Sequence, residues 1–258
     1  VDCKNQRLAG LTLEMLKSAV KEAGMPAFTA KQIADWLSKK RIRSIDEMSN
    51  ISLKNREKLN ELFEVGYKSP ADEARSIDGT VKYLYEVENG HFVEAVYIPD
   101  GERATLCVSS QVGCKMNCLF CMTGKQKYTA NLTANEIVNQ ILALPEFEKL
   151  TNIVFMGMGE PFDNYENVAQ FLRLLHDENG RNMSWRNMTV STSGIIPKIR
   201  QFAEDFPQVN LAISLHRLTD EGRSSIMPVN RKYPVEQLLG AAREYTERTH
   251  RRVTFEYA

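Results

Sequence analysis

The stretch Cys114-Lys115-Met116-Asn117-Cys118-Leu119-Phe120-Cys121 carries three thiols spaced x3 then x2, on a loop just after an apolar run. That is metal-ligand spacing: thiolates hold iron-sulfur clusters and zinc, and a tight loop lets several sulfurs converge on one centre. Three is the informative number. Four thiolates close every iron of a four-iron cluster, whereas three leave one iron open to a substrate or cofactor. The plainer alternatives are a zinc site whose fourth ligand lies elsewhere, and cysteines that merely pack.

Working outward, 258 residues suffice for one large α/β domain and a small appendage. Apolar residues at 43% and charged residues at 26% are ordinary for a globular chain. Formal net charge is zero, so no global field draws nucleic acid and any RNA must be held by local basic patches. No apolar run approaches a membrane span and the start shows no signal-peptide pattern, so the expectation is a cytoplasmic location without a membrane partner. Five cysteines, three of them in one loop, do not make a secreted disulfide framework.

Residues 1–68 are expected to be helical. Leu13, Leu16, Val20 and Ala23 recur at helical spacing after Thr12, and Gly24 supplies a stop. Capping-box patterns at 29–32 and 44–47 predict two further short helices, the first with Ile33, Trp36 and Leu37 on one face. Lys39, Lys40, Arg41 and Arg43 form a basic turn, either a solvated charged face or a contact for a phosphate backbone. Alternation through Val81, Tyr83 and Tyr85, then Phe92, Glu94, Val96 and Ile98, predicts a hairpin turning at Asn89-Gly90. Glu94 interrupts the apolar side, and a carboxylate in a strand ordinarily faces solvent. A short apolar strand at 104–109 carries Cys107, ordinarily a small buried hydrophobe, and delivers the chain to the cysteine loop.

From there strands and helices alternate. Strands are expected at 152–156, 188–193 and 210–215 and through Val253, Phe255 and Tyr257. Helices are expected through Ile137, Ile141 and Leu142 behind a capping box at 133–136, at 168–176, around Ile199 and Phe202, and at 235–246. Repeated βα units imply parallel strands with right-handed crossovers, hence an α/β partial barrel or open curved sheet of five strands. Sites in such folds lie at the carboxyl ends of strands. Gly157-Met158-Gly159-Glu160-Pro161, Ser191-Thr192-Ser193-Gly194 and Ser214-Leu215-His216 all fall there. The first lacks the third glycine of a dinucleotide fingerprint and has Pro161 where a helix should start, so a nicotinamide site is discounted.

The x3-x2 loop with Phe120 before its last cysteine resembles the signature of the radical S-adenosylmethionine (SAM) superfamily. The run from Val93-Glu94 to Pro99, Cys107 to Cys114, the loop itself, Gly157 to Pro161, Val190 to Gly194 and Ile213 to His216 together resemble the RlmN family. The resemblance reaches the amino-terminal part at Phe28-Thr-Ala-Lys-Gln-Ile33. It implies a partial (β/α) radical SAM barrel at 104–258, a hairpin and linker at 69–103, and a helical RNA-binding domain at 1–68.

It further implies methylation of C2 of an adenosine in large-subunit ribosomal RNA and in tRNA, with a [4Fe-4S] cluster, SAM and a reductant protein such as flavodoxin or ferredoxin. In residue terms, Cys114, Cys118 and Cys121 would hold the cluster, and Gly159, Glu160, Ser191, Ser214, Leu215 and His216 would contact SAM. One SAM is expected to methylate a carboxyl-terminal cysteine, and a 5'-deoxyadenosyl radical from a second to activate that methyl group. Glu94 would accept the C2 proton, and Cys107 would release the product by closing a disulfide. The sister Cfr family acts at C8 of the same adenosine. The methyl-accepting cysteine has no match here, and the sequence ends within a strand pattern, so an incomplete and inactive chain is expected. A non-catalytic RNA-binding protein with a structural zinc is the alternative from another class.

Overall fold

A computed structural model describes residues 6–258; the first five residues of the expected helical part, with Cys3, lie outside the described residues. The strand β1 (Gln6–Arg7) leads into three helices, α1 (Leu13–Glu22), α2 (Phe28–Ser38) and α3 (Leu53–Leu62), and β2 (Phe63–Glu64) returns to pair parallel with β1. Leu16, Val20, Ile33, Leu37 and Leu59 close a core of their own beneath them. Thr12 caps α1 and Ser52 caps α3 by accepting backbone N–H groups.

The capping box expected at 29–32 does not form. The helix α2 starts two residues earlier, behind Pro26-Ala27, so Thr29 falls inside it and is buried. The box at 44–47 does form, but it closes a single 3-10 turn rather than a helix. The basic turn presents Lys39, Lys40 and Arg43 at the surface as a charged face. Lys39 pairs with Asp35 at 2.6 Å and Lys40 lies over the Trp36 ring. Arg41 donates to the carbonyls of Leu142 and Leu144 and covers the Phe147 ring, so it joins the helical unit to the rest.

The remaining chain builds one eight-stranded sheet. Antiparallel strands β3 (Asp72–Arg75), β4 (Val81–Glu86), β5 (Phe92–Asp100) and β6 (Arg103–Cys107) form one wing. The hairpin therefore continues the barrel sheet rather than standing apart from it. Beyond β6 the neighbours are parallel: β9 (Asn152–Phe155), β10 (Met188–Thr192), β11 (Asn210–Ser214) and β12 (Val253–Glu256). With β6, which pairs parallel with β9, these four make the five parallel strands of the expected partial barrel. A separate pair, β7 (Gln111–Val112) with β8 (Ala130–Asn131), clasps the base of the cysteine loop. The loop itself carries the single turn α4 (Met122–Lys125).

The helices α5 (Ala134–Leu142), α6 (Tyr165–His176), α7 (Ile196–Asp205) and α9 (Val235–Thr249) cover the outer face, and α8 (Asp220–Ile226) follows β11. Thr133 and Glu136 complete the capping box that opens α5. The outward residues of the strands, among them Leu106, Ile153, Phe155, Val190, Leu211 and Ile213, pack on Ile137, Phe171, Ile199, Phe202 and Leu238 as the main core. The inner face is left for polar side chains at the strand ends.

Candidate active site

Five segments meet in a cleft of about 270 Å³ at the carboxyl ends of the parallel strands. Its wall includes Cys114, Cys118 and Cys121 from the loop, Gly157, Gly159 and Glu160 after β9, and Ser191 and Ser193 at the end of β10. Ser214, His216 and Glu256 complete it. Of the expected SAM contacts only Leu215 is absent from the wall; it is buried, and its backbone N–H donates to the Glu256 carbonyl. By contrast, the apolar crevice between the helical unit and the barrel, lined by Leu13, Leu37, Ile141 and Phe147, has only about 60 Å³.

The cysteine loop is held from three sides. Gly113, at φ +73°, sits against the Lys127 carbonyl, where a side chain has no room. Lys115 pairs with Asp163 at 2.8 Å, and Gln111 donates to the same carboxylate. The Leu119 N–H donates to the carbonyl of Ile226 at 2.9 Å, which docks the loop on the end of α8. Burial pushes the Cys114 thiol up to about 11 and the Cys118 thiol up to about 12, so both are protonated at neutral pH.

Among the described residues no three His, Cys, Asp or Glu side chains stand as a ready single-ion ligand set. Thiols that bind three different irons of a cluster need not meet at a point as ligands of one ion must. One buried thiol, Cys118, and two partly buried ones, Cys114 and Cys121, on one clamped loop facing glycines and hydroxyls across a cleft, therefore suit a thiolate-bound cluster with an open side.

Glu160 is a bracket between strand ends. Its carboxylate accepts from the N–H of Phe162 (3.0 Å), from Thr192 Oγ1 (2.7 Å) and from the Ser193 N–H (2.7 Å). Burial raises its pKa, against the lowering effect of these donors. Arg223, fully buried on α8, donates to the carbonyls of Ser193, Ser214 and Leu215 and to Asn230. One guanidinium thus fixes the ends of both β10 and β11.

Glu256 is the site residue that the sequence pattern missed. Ser191 Oγ donates to it at 3.0 Å and Ser214 Oγ at 2.7 Å, so both serines expected to contact SAM share one carboxylate. The available signal was its place near the carboxyl end of the fifth strand. His216 takes a left-handed backbone at φ +56°, and its Nδ1 accepts the N–H of Ala258. Phe120 meets its ring edge-on at 4.5 Å. Burial, then the neighbouring arginines, lower its pKa against the pull of Glu256.

Glu94 and Cys107 lie outside the cleft wall but near it. Cys107 pairs with Val96 in the ladder, and Glu94, two residues along β5, shares that face. Glu94 is half-exposed and pairs with Lys82 at 2.9 Å. Burial pushes the Cys107 thiol up to about 11. The expected disulfide is not formed among the described residues: Cys107, Cys114, Cys118 and Cys121 are all free thiols. Among the described residues no helix is long and apolar enough to cross a membrane.

Comparison with known proteins agrees with this geometry. The Radical SAM superfamily matches residues 108–257, and the ribosomal RNA large subunit methyltransferase N-terminal domain matches residues 6–65. A protein of Bacteroides fragilis described as "Probable dual-specificity RNA methyltransferase RlmN" is 54% identical over 97% of this chain and 72% of its own length. One of the same description from Staphylococcus aureus is 43% identical over 98% of this chain and 71% of its own length. A crystal structure of a radical SAM methyltransferase from Sphaerobacter thermophilus superposes with a TM-score of 0.92 at 42% identity, covering 98% of this chain and 76% of that one. Radical SAM methyltransferases of this kind use a [4Fe-4S] cluster and SAM. Likeness at this level, over both the helical unit and the barrel, means that the chain belongs to the RlmN family of radical SAM RNA methyltransferases.

Proposed function

We propose that Cys114, Cys118 and Cys121 hold a four-iron cluster at the mouth of the barrel, and that SAM lies between it and the ends of β9, β10 and β11. The observation that carries this is the meeting of three loop thiols with Gly159, Ser191, Ser214 and His216 in one cleft. When bound, the cluster would supply one electron to SAM. Gly159, at φ +99° and tight against Gln111, lets the backbone approach the ligand closely. Glu160 and Arg223 hold the strand ends, and Ser191 and Ser214, oriented by Glu256, face the ligand.

The substrate we infer is C2 of an adenosine in large-subunit ribosomal RNA and in tRNA, as the description of the relatives supports. Glu94 accepts the C2 proton, for which it must exchange its contact with Lys82 for one with the base. Cys107 attacks the sulfur of the methylated carboxyl-terminal cysteine that the family resemblance implies: an S–S bond forms as the bond from that sulfur to the transferred carbon breaks, and the carbon keeps the electron pair and takes a proton as the product leaves. A thiolate is the competent form, so its proton must leave during the reaction. The division at 1–68, 69–103 and 104–258 assigns RNA contact to the helical unit and chemistry to the barrel, with a flavodoxin or ferredoxin as electron donor in the cytoplasm.

The test is nucleoside analysis of RNA from cells that make the full-length enzyme or its Cys107→Ala variant. The expected results are 2-methyladenosine from the native enzyme and a covalent protein-RNA adduct from the variant. Methylation at C8, or unaffected turnover by the variant, overturns this assignment.

A further inference from the structure

The cysteine loop carries a surface that the cleft does not use. Met116, Phe120 and the three thiols line the cleft, whereas Leu119 and Met122 do not. These two side chains are 62% and 71% exposed, although each directly follows a candidate cluster ligand, Cys118 and Cys121. The backbone beneath them is ordered: the Leu119 N–H donates to the Ile226 carbonyl at 2.9 Å, and the Cys121 N–H to the Cys118 carbonyl at 3.1 Å. Two large apolar side chains held out into water on a clamped loop mark a contact surface.

The charge around it is one-sided. From Ala104 to Asn135 there is no Asp or Glu, while the same stretch holds Lys115, Lys125 and Lys127, in a chain whose formal net charge is zero. Lys115 is taken up by Asp163. Lys125, at the end of α4, and Lys127 are exposed and form no ion pair among the described residues. An apolar centre beside unpaired cations fits an acidic protein surface. The position says which kind of protein: a partner on this face touches residues bonded directly to two of the three ligand cysteines, yet leaves the cleft open.

We propose that Leu119, Met122, Lys125 and Lys127 form the docking face for an acidic one-electron carrier of the flavodoxin class. In the step this face serves, the carrier's flavin loses one electron and the cluster gains it, with no bond made or broken between the two proteins. The inference rests on the cluster site and the electron donor proposed above, and adds where that donor binds. The electron then arrives from outside the loop while SAM and the adenosine occupy the cleft, so carrier and RNA need not exclude each other.

The test compares the full-length enzyme, reconstituted with iron and sulfide, with its Lys125→Glu/Lys127→Glu variant. Binding of flavodoxin and of RNA is measured by titration. SAM cleavage is driven either by reduced flavodoxin or by dithionite, a small reductant that needs no docking face. Charge reversal at two positions predicts that the variant binds flavodoxin roughly tenfold more weakly or worse, with a flatter dependence on salt and a matching rise in the flavodoxin concentration for half-maximal cleavage. Iron content, RNA affinity and dithionite-driven cleavage should match the native enzyme. Unchanged flavodoxin affinity overturns the proposal. So does RNA binding weakened as much as flavodoxin binding, which makes the face a general contact for anions, and so does an equal loss of cleavage with dithionite, which marks a structural role. A native enzyme that takes up no iron, or cleaves no SAM with dithionite, defeats the reading of the site itself, whatever the variant does.

Discussion

At the scale of single residues, buried polar groups explain the site better than its surface does. Glu160, a candidate ligand contact in the sequence, lies in the cleft wall with its carboxylate accepting from three internal donors. In Glu160→Gln an amide N–H₂ replaces one acceptor and opposes a backbone donor. Chemical denaturation of the metal-free protein should show a loss of about 1–3 kcal/mol. Cys107 gives a pH-dependent readout. Its folded pKa of about 11 lies above the ordinary value of 9.0, so the stability it contributes is complete below about pH 9 and is lost as pH rises toward 11. Iodoacetamide should alkylate it about tenfold faster for each pH unit between 8 and 10, because the thiolate is the nucleophile. A rate that levels off near pH 9 would count against the buried environment described here. Glu256 and Ser193 show why a site is only partly legible in sequence. Their partners lie 65 and 33 residues away, and no local spacing records which hydroxyl a carboxylate will claim.

At the scale of elements, strands buried on one or both faces were legible because their apolar runs are short, bounded and alternate with helical periods. The five parallel strands fall within two residues of their expected bounds for that reason. The elements that escaped carry no apolar signal. In β3 all four residues, Asp72 to Arg75, are exposed, so the strand exists only as an edge partner of β4. In α8 the one buried residue is an arginine, Arg223, held by carbonyls that belong to other strands. The cysteine loop makes a sharper claim. A Cβ at position 113 would stand 2.3 Å from the Lys127 carbonyl oxygen, in a backbone conformation that L side chains rarely adopt. Gly113→Ala should therefore keep the barrel folded by circular dichroism while iron uptake falls severalfold, since strain of this kind costs on the order of 1–3 kcal/mol. Normal iron uptake by that variant would mean that the clasp of β7 and β8 does not shape the loop.

At the scale of the whole molecule, two cores are joined through one residue of the basic turn, Arg41, while Lys39, Lys40 and Arg43 stay exposed. Arg41 links the helical unit to the end of α5 and to Phe147. Arg41→Ala should lower stability by about 1–2 kcal/mol in denaturant titration and speed proteolytic cleavage between the two units, leaving secondary structure content unchanged. The neutral net charge fits a protein whose RNA contact is local rather than driven by a global field. The central claim is that the three thiols of the loop open a cluster toward SAM. Anaerobic reconstitution with iron and sulfide, followed by iron counting and an absorption spectrum with and without SAM, tests it most directly. The account predicts about four irons per chain and a spectral change on adding SAM; tight binding of one zinc, with no iron and no response to SAM, would contradict it.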